Sequence, residues 1–253
     1  MTGRLTVIGL GPGHAAQITP EASAALADAE LLLGYAPYLA RVPERPGQRR
    51  EPTDNREEIA RASAALMAAA AGDRVAMVSG GDPGVFAMAA AVCEAIEHGP
   101  PQWRAIDVVI LPGITAMLAV AARVGAPLGA DFCAISLSDN LKPWDLVRQR
   151  LAAVAQAGFV IALYNPISRA RPWQLGEAFA LLADLLPPET PVIFGRAAGR
   201  PDERIAIVPL CEADAAMADM ATCVIIGSAH TRIIARPDGP ALVYSPRSVR
   251  PSA

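Results

Sequence analysis

The sequence predicts an α/β protein with two α/β domains, a parallel sheet in the N-terminal domain and a mixed sheet in the C-terminal domain. Strand-like and helix-like segments alternate through residue 112, which is typical of parallel strands joined by helices. Beyond residue 113, short apolar runs outnumber the helical segments, which favours a mixed sheet. The domains are therefore placed at residues 1–112 and 113–245, with a tail at 246–253.

The elements of the N-terminal domain follow from apolar runs separated by turn residues. Thr19 is placed to cap the first helix, with Pro20 at its first position and Glu21 in its first turn. Asp54 is placed to cap the second helix, and Pro112-Gly113 ends the last strand. The predicted strands are residues 5–8, 31–34, 75–78 and 106–111, and the predicted helices are residues 19–29, 56–71 and 85–96.

The elements of the C-terminal domain follow from the same signals, short apolar runs for strands and longer segments for helices. The predicted helices are residues 114–124, 144–155 and 173–185. The predicted strands are residues 130–137, 159–164, 191–194, 204–209, 223–226 and 241–244.

Bulk composition excludes several classes of protein. With 53% hydrophobic and 19% charged residues, disorder is not expected outside the chain ends. The net charge of -3 argues against a protein-wide nucleic-acid surface. No apolar stretch reaches the roughly 18 residues of a membrane helix, and the N-terminus lacks a signal-peptide pattern. We expect a cytoplasmic protein that binds neither nucleic acid nor membrane.

Cysteine and histidine are too scattered in the sequence to indicate a metal site or a disulfide framework. The four cysteines have no C-x-x-C spacing, and the three histidines are isolated. Because free cysteine prefers burial, buried structural thiols are predicted. These residues are Cys93, Cys133, Cys211 and Cys223 among the cysteines, and His14, His98 and His230 among the histidines.

A glycine turn, Gly9-Leu10-Gly11-Pro12-Gly13, follows the first strand and superficially matches a dinucleotide-binding fingerprint. That fingerprint opens a helix directly, so that amides at the helix end face a pyrophosphate. Here Pro12 removes one backbone donor, and residues 14–18 intervene before the helix. Phosphate binding is therefore poorly supported at this turn.

A second glycine turn, Ser79-Gly80-Gly81-Asp82-Pro83-Gly84-Val85, separates the third strand from an alanine-rich helix. It lacks the lysine and the Ser/Thr of a P-loop, which argues against nucleotide hydrolysis. Its glycines permit close approach of the backbone to a ligand, and Asp82 favours a ligand with hydroxyls or positive charge. An ordinary Asp-Pro-Gly turn is the alternative interpretation.

Arginines cluster at residues 41–50 and again at Arg169 and Arg171. Such clusters can hold a carboxylate-rich ligand by bidentate pairing. A solvated loop is an equally good interpretation of either cluster.

The two glycine turns and Pro112-Gly113-Ile114-Thr115-Ala116 occur in the order and at the separations found in the tetrapyrrole methyltransferases. The chain resembles this family over residues 5–244. Its members use S-adenosyl-L-methionine to methylate carbons of corrin and sirohaem precursors. The later blocks resemble members that methylate a corrin precursor of cobalamin biosynthesis and contract its ring; these blocks are residues 131–144, 161–171 and 195–200.

The resemblance implies that S-adenosyl-L-methionine binds between the two domains, contacted largely by backbone, and leaves as S-adenosyl-L-homocysteine. Asp82 would lie near the ribose or the methionine part, while Val85 and Thr115 would pack on apolar surface. The implied cofactor-binding residues are Pro12, Gly80, Gly81, Asp82, Val85, Thr115, Ala116, Asn165, Ala197 and Ile226, with Gly227 as an alternative to Ile226.

The resemblance also implies a tetrapyrrole substrate, a macrocycle with many acetate and propionate arms, and a homodimer. Cations of the arginine clusters, together with Lys142, would pair with the carboxylates of the substrate. The leading candidates are Arg41, Lys142, Arg169 and Arg171, followed by Arg45, Arg49 and Arg50.

Catalysis by such an enzyme needs alignment more than a protein nucleophile, because the macrocycle supplies the carbon that is methylated. Ring contraction would call for acid–base help with a hydroxyl and a lactone. No two polar residues of the sequence form a recognisable dyad. The candidates near the motifs are Asp139, Asn140, Lys142 and His14.

Three alternatives stay open. Within the family, an anaerobic-pathway homologue acts on a cobalt-containing substrate, whereas the lack of an extra cysteine segment for an iron–sulfur cluster favours a metal-free one. A non-catalytic tetrapyrrole-binding protein would share the arginines but have a blocked cofactor site. A dehydrogenase or nucleotide-sugar enzyme would use the first glycine turn for phosphate, against the evidence of Pro12.

Overall fold

The computed structural model describes residues 3–54 and 57–248. The chain forms two units, an N-terminal unit of Met1–Thr115 and a C-terminal unit of Ala116–Ala253. The described residues contain two five-stranded sheets and one three-stranded sheet.

The N-terminal unit is built on a sheet in the order β3-β2-β4-β1-β5, whose strands all run parallel, as predicted. The strands are β1 (Arg4–Gly9), β2 (Leu31–Tyr35), β3 (Arg49–Thr53), β4 (Arg74–Ser79) and β5 (Asp107–Leu111). The helices are α1 (Pro20–Asp28), α2 (Ala36–Leu39), α3 (Glu58–Ala70) and α4 (Met88–His98).

Strand β1, which lies between β4 and β5, is buried on both faces because helices cover each side of the sheet. Leu5 and Val7 belong to a core cluster with residues of α3 and α4. Ile8 belongs to a second cluster with residues of α1. All three side chains are 0% exposed. Burial of each such side chain contributes roughly 1.5–3 kcal/mol, which fixes the position of the turn that follows β1.

The first two long helices begin differently from each other. The predicted cap of α1 is confirmed, because the Thr19 hydroxyl accepts the amide of Ala22 at 3.1 Å and Pro20 opens the helix. The predicted cap of α3 is wrong, because Glu57 rather than Asp54 lies at its N-cap position. The predicted first residue of this helix, Arg56, lies outside the described residues.

Strand β3 does not appear among the predicted strands, because Arg-Arg-Glu-Pro-Thr has no apolar alternation. It pairs with β2 at the edge of the sheet, a position that tolerates Pro52. Arg50 anchors the strand, since its guanidinium donates to the carbonyls of Leu39 and Val42. Half of the first arginine cluster is therefore part of a sheet.

Helix α4 begins later than predicted, at Met88 rather than at Val85. Phe86 has a φ of 52° and Ala87 is extended, with a φ of -141°, so the backbone becomes helical only beyond them. The turn after β4 is therefore longer than the glycines alone indicate.

The C-terminal unit is built on a sheet in the order β10-β9-β11-β8-β7. Strands β7 and β8 are parallel and the other pairs are antiparallel, which confirms the predicted mixed sheet. Its strands are β7 (Phe132–Ser136), β8 (Val160–Tyr164), β9 (Pro191–Arg196), β10 (Arg204–Pro209) and β11 (Thr222–Ile226). The helices of the unit are α5 (Ala116–Val124), α6 (Trp144–Gln156) and α7 (Gln174–Ala183).

The mixed sheet has a core on each face. Helices α6 and α7 share one cluster with β8, β9 and β11, and α5 shares the other. Gly195 lets α5 approach β9, since a Cβ at this position would lie 2.1 Å from a methyl of Val120. The helices are therefore fixed directly onto the strands whose ends carry the predicted motifs.

A small third sheet, in the order β12-β13-β6, is absent from the predicted architecture apart from its middle strand. Its strands are β6 (Gly125–Ala126), β12 (Arg232–Ile234) and β13 (Leu242–Tyr244). Buried hydroxyls tie it together, because Ser245 Oγ donates to the carbonyl of Pro127 at 2.6 Å and lies 2.9 Å from Thr231 Oγ1. The predicted tail is described as far as residue 248, and residues 249–253 lie outside the described part.

The four cysteines differ in burial, against the expectation that all are buried. Cys223 is buried, as predicted, and burial raises the pKa of its thiol to about 12. Cys133 is half-buried, and desolvation raises its thiol pKa to about 11. Cys93 and Cys211 are exposed, so the prediction is wrong for them.

These differences predict selective alkylation of the folded protein. At pH 8, iodoacetamide is expected to modify Cys93 and Cys211 and to leave Cys223 intact, because a buried thiol is rarely present as the reactive thiolate. Mass spectrometry of proteolytic peptides measures the modification at each site. Denatured protein, in which every cysteine reacts, is the control, and rapid labelling of Cys223 in the native protein would contradict the fold.

Candidate functional site

Three turns of the N-terminal unit lie at one edge of its sheet. They follow β1, β4 and β5, which are neighbours in the strand order, and parallel strands all end at the same edge. In open parallel sheets, ligands bind at the carboxyl ends of the strands. The turns comprise residues 10–13, 80–85 and 112–115.

The first two turns are joined by backbone hydrogen bonds. The amide of Gly11 donates to the carbonyl of Gly81 at 3.1 Å, and the amide of Gly81 donates back to Gly11 at 3.0 Å. Both residues have left-handed backbone, with φ values of 63° and 65°, where a side chain would be strained. The paired glycines hold the ends of β1 and β4 against each other.

The third turn packs against the first two without intervening side chains. A Cβ on Gly9 would lie 2.7 Å from the amide nitrogen of Gly113, and a Cβ on Gly113 would lie 2.3 Å from the carbonyl oxygen of Gly81. Neither separation is sterically tolerable. The edge is therefore a surface of main chain, as a site that binds its ligand largely through backbone groups requires.

Asp82 links the second turn to the third. Its Oδ2 accepts the amide of Gly113 at 3.0 Å, and its Oδ1 accepts the amide of Gly84 at 2.8 Å. Hydrogen bonds to a carboxylate are roughly twice as strong as neutral ones. Because each carboxylate oxygen can accept more than one donor, Asp82 can hold both turns and still meet a hydroxyl or a cation of a ligand.

The side chain of Arg41 contacts the first turn. Its Nη2 donates to the carbonyls of Leu10 at 2.8 Å and Gly11 at 3.0 Å. Pro12 is buried in the same turn. The structure thus gives Arg41 a role in shaping the turn, which the sequence analysis does not assign to it.

The other predicted residues of this edge differ in exposure. Gly80 packs against an aromatic ring, since a Cβ there would lie 2.6 Å from Cζ of Tyr38. Thr115 is buried, whereas Val85 is half-buried and the neighbouring Phe86 is exposed. The structure therefore brings the predicted cofactor-binding residues of the N-terminal unit together at one sheet edge.

The remaining candidates of this unit have contacts within the fold. His14 begins a short 3₁₀ helix, where its Nδ1 accepts a backbone amide at 3.1 Å. Arg49 forms a surface ion pair with Asp73, and Arg50 anchors β3. Arg45 is exposed.

In the C-terminal unit, the carboxyl ends of the parallel strands β7 and β8 carry a polar cluster. Asn165 Nδ2 donates to Ser136 Oγ at 3.0 Å, and Arg171 Nη1 donates to the carbonyl of Asn165 at 3.0 Å. Ser136 and Arg171 are buried, while Asn165 is exposed with a φ of 51°. The predicted cofactor residue Asn165 and the predicted substrate residue Arg171 are therefore neighbours, whereas Arg169 is exposed.

The loop after β7, residues 138–143, carries three of the predicted catalytic residues. Asp139 Oδ2 accepts a hydrogen bond from Gln174 Nε2 at 3.1 Å. Asn140 is exposed and Lys142 is half-buried. Desolvation, followed by the charge of Arg150, lowers the pKa of the Lys142 ammonium. Lys142 remains a suitable partner for a carboxylate, because such a partner would favour its charged form.

The beginning of α7 holds both ends of the 138–143 loop. Gln174 reaches Asp139 at the start of the loop. Trp173 meets Trp144, just past its end, edge to face with ring centroids 5.2 Å apart. Leu141, in the middle, is 99% exposed. The loop is therefore fixed where it leaves the sheet and presents its middle to the surroundings.

Ala197 lies in a turn that follows β9. It has a φ of 50°, and its amide donates to the carbonyl of Ala221 at 2.9 Å. Glu203 closes the turn by accepting the amide of Gly199 and pairing with Arg123 at 2.7 Å. The hydrogen bond from Arg123 lowers the pKa of the Glu203 carboxyl. These contacts hold the strained residue in place.

Ile226 and Ala116 complete the predicted cofactor set. Ile226 is in register with Ile161 and Val192, and its side chain is wholly buried in the core. A ligand at this position would therefore meet its main chain. Ala116 is the first residue of α5 and is half-buried.

Backbone strain marks three of the motifs. Among the described residues, the non-glycine residues with positive φ are Phe86, Asn165 and Ala197. Such conformations cost of order 1–3 kcal/mol and concentrate at functional sites. Two of these residues are predicted cofactor residues, and the third follows Val85 directly.

Gln174 is a candidate that the sequence analysis missed. It is 1% exposed at the start of α7, on the same helical face as Ala178 and Leu182. A polar residue within an otherwise apolar helical stripe is the signal that could have identified it.

Comparison with known proteins gives a consistent result. The model of the family "Tetrapyrrole (Corrin/Porphyrin) Methylases" matches residues 4–214. A precorrin-3B C(17)-methyltransferase of Sinorhizobium sp is 68% identical over 247 residues, which cover 98% of this chain and 97% of that protein. A probable cobalt-factor III C(17)-methyltransferase of Salmonella typhimurium is 41% identical over 230 residues, covering 90% of this chain and 94% of that protein.

The fold agrees with these matches. The crystal structure of the methyltransferase CobJ has a TM-score of 0.91 and 50% sequence identity, covering 96% of this chain and all of that one. In the described part of the chain, no helix has the length and apolar character needed to span a membrane. No group of three or more metal-ligating side chains occurs within residues 3–54 and 57–248. The family match and the two relatives show that this chain belongs to the tetrapyrrole (corrin/porphyrin) methylases.

Proposed function

We propose that this protein transfers a methyl group from S-adenosyl-L-methionine to C-17 of precorrin-3B and contracts the ring to give precorrin-4, in cobalamin biosynthesis. The observation that carries the proposal is the 68% identity, over nearly the full length of both chains, to a precorrin-3B C(17)-methyltransferase. The three backbone-packed turns at one sheet edge support the proposal, because they form a main-chain surface suited to a ligand that is bound largely through backbone groups.

The sheet edge of the N-terminal unit fits this cofactor better than a nucleotide phosphate. The first turn lacks one amide at Pro12, and the second lacks the lysine of a P-loop and contains the carboxylate of Asp82. When bound, S-adenosyl-L-methionine supplies a methyl group on a positively charged sulfur. Asp82 would accept hydrogen bonds from ribose hydroxyls or favour that charge. The proposed cofactor residues are Pro12, Gly80, Gly81, Asp82, Val85, Thr115, Ala116, Asn165, Ala197 and Ile226.

We propose that the substrate carboxylates meet the cations of the C-terminal unit. Lys142 is half-buried within the 138–143 loop, and Arg169 is exposed near Arg171. Arg41, by contrast, already donates to backbone carbonyls of the first turn. Substitution of Arg41 should therefore affect the cofactor site before it affects substrate binding.

The chain's own contribution to methyl transfer would be alignment. The macrocycle supplies the carbon nucleophile, so the protein has to hold two reactants with the methyl group between them. Main-chain turns locked by glycine packing and by Asp82 are suited to this task, because they have little side-chain freedom to lose. Asp139, Asn140, Lys142 and His14 stay proposals for acid–base help during ring contraction.

A cobalt-containing substrate is the second candidate within the family. The 41% identical Salmonella protein is named a probable cobalt-factor III C(17)-methyltransferase. The higher identity to the precorrin-3B enzyme favours the metal-free macrocycle. A tetrapyrrole-binding protein without catalytic activity is the remaining alternative.

The test is incubation of the purified protein with precorrin-3B and a methyl donor labelled at the methyl carbon. We expect a ring-contracted product that carries one label, at C-17. Mass spectrometry and ¹³C NMR identify the product and locate the label. A parallel reaction with cobalt-factor III should be slower. Label at another carbon, faster turnover of the cobalt substrate, or binding without turnover would each overturn the proposal in a recognisable way.

We further propose that the protein is cytoplasmic and forms a homodimer, the latter as the family resemblance implies. Light scattering should then give twice the chain mass of 26.3 kDa. A value equal to the chain mass at micromolar concentration would contradict the dimer.

A further inference from the structure

The buried amide of Gln174 is chemically out of place in its helix. Helix α7 turns an apolar stripe toward the core, formed by Leu175, Ala178, Phe179 and Leu182, and Gln174 lies at the end of this stripe with 1% exposure. Burying an amide costs free energy unless both of its ends are hydrogen-bonded. A leucine at this position would continue the stripe without that cost.

Only one of the two hydrogen-bonding groups of the Gln174 side-chain amide has a partner among the described residues. Gln174 Nε2 donates to Asp139 Oδ2 at 3.1 Å. Gln174 Oε1 is buried and has no hydrogen-bond partner among the described residues. A half-satisfied buried amide is destabilising, so stability does not account for the glutamine. The hydrogen bond of Gln174 to the carboxylate of Asp139, in the 138–143 loop, is the contact that accounts for a glutamine at this position.

Asp139 is accessible to solvent and follows closely on the polar cluster at the end of β7. It is half-buried, three residues beyond Ser136, whose hydroxyl accepts the hydrogen bond of Asn165. Among the described residues, Gln174 donates its hydrogen bond to Oδ2 of Asp139, so Oδ1 is left to accept a hydrogen bond from another donor. Trp173, the residue before Gln174, contacts Trp144 at the other end of the loop. The beginning of α7 therefore fixes both ends of the 138–143 loop.

We propose that Asp139 accepts a hydrogen bond from a hydroxyl or N–H group of the tetrapyrrole substrate, and that Gln174 is the positioning residue that aims its carboxylate. This inference rests on the proposed function and deepens it. The ammonium group of the cofactor is the other source of such a donor, and the experiment separates the two.

The test compares Gln174→Leu and Asp139→Asn with the wild type in the precorrin-3B assay. Each variant should lower kcat/KM at least tenfold, while the affinity for S-adenosyl-L-homocysteine, measured by calorimetry, stays within twofold. Because leucine removes the unsatisfied oxygen, Gln174→Leu should melt at or above the wild-type temperature. Loss of activity without loss of stability distinguishes positioning from a merely structural role.

A double variant measures the coupling between the two residues. If Gln174 acts through Asp139, Gln174→Leu combined with Asp139→Asn should be no less active than Asp139→Asn alone. Gln149→Leu, an exposed glutamine on α6, is the matched control and should retain full activity. Should Gln174→Leu not fold, Gln174→Met and the Asp139→Asn variant carry the test.

Three outcomes overturn the inference: wild-type kcat/KM in either single variant, multiplicative losses in the double variant, or a fall in cofactor-product affinity that accounts for the lost activity. The last outcome would assign the carboxylate to the cofactor ammonium. Failure of the proposed function is distinguishable from all three, because the wild-type protein would then show no methyl transfer to precorrin-3B.

Discussion

Gly113→Ala is expected to lower the free energy of unfolding by about 3 kcal/mol, the upper end of the usual cost of overpacking. The new Cβ would lie 2.3 Å from the carbonyl oxygen of Gly81 and 3.0 Å from Cα of Gly9. Both neighbours are main chain, so no side chain can rotate away to relieve the clash. Urea denaturation followed by circular dichroism measures the change.

Gly176→Ala is the matched control for this prediction. Gly176 lies inside helix α7, and a Cβ there would have no heavy atom within 4 Å. Alanine is therefore expected to stabilise the protein by about 0.5–1 kcal/mol through helix propensity alone. If both alanine variants behave alike, the close main-chain packing of the three turns is wrong.

Asp82→Ala is expected to weaken the binding of S-adenosyl-L-homocysteine at least tenfold, or about 1.4 kcal/mol, while the chain stays folded. The substitution removes the acceptors for the amides of Gly84 and Gly113, which fix the second and third turns relative to each other. It also removes the carboxylate proposed to meet the cofactor. Isothermal titration calorimetry measures the affinity.

Two variants isolate the cause of this effect. Asp82→Asn keeps one carbonyl acceptor and should give an intermediate affinity. Asp107→Ala removes an exposed carboxylate that pairs with Arg4 on the surface of the same unit, and it should leave binding unchanged. Unchanged affinity in Asp82→Ala would remove this residue from the proposed cofactor site.

The main sheets were predictable because their strands are buried. Leu5, Val7 and Ile8 have to be covered on both faces, and such apolar runs between helical segments indicate a parallel layer. Strand β3 was not predictable in this way, because it is an edge strand that is stabilised by pairing with β2 and needs no apolar face. Strands β6 and β12 are too short to show a pattern.

The site was predictable only as a set of turns. The glycines of the first two turns are visible in the sequence as breaks between apolar runs. The bond from Asp82 to Gly113 joins residues 31 positions apart, and the bond from Gln174 to Asp139 joins residues 35 positions apart. Both depend on which strands become neighbours, and strand order arises from packing of the whole unit.

The place of β1 between β4 and β5 in the N-terminal sheet has a consequence during synthesis on the ribosome. Strand β1 emerges long before its partner β5, since the paired residues Arg4 and Asp107 are 103 positions apart. At roughly 5–20 residues per second, translation leaves β1 without that neighbour for about 5–20 s. An apolar strand with an unpaired edge is an aggregation hazard for that interval. Nascent chains of this protein should therefore depend on chaperones until β5 has left the ribosome.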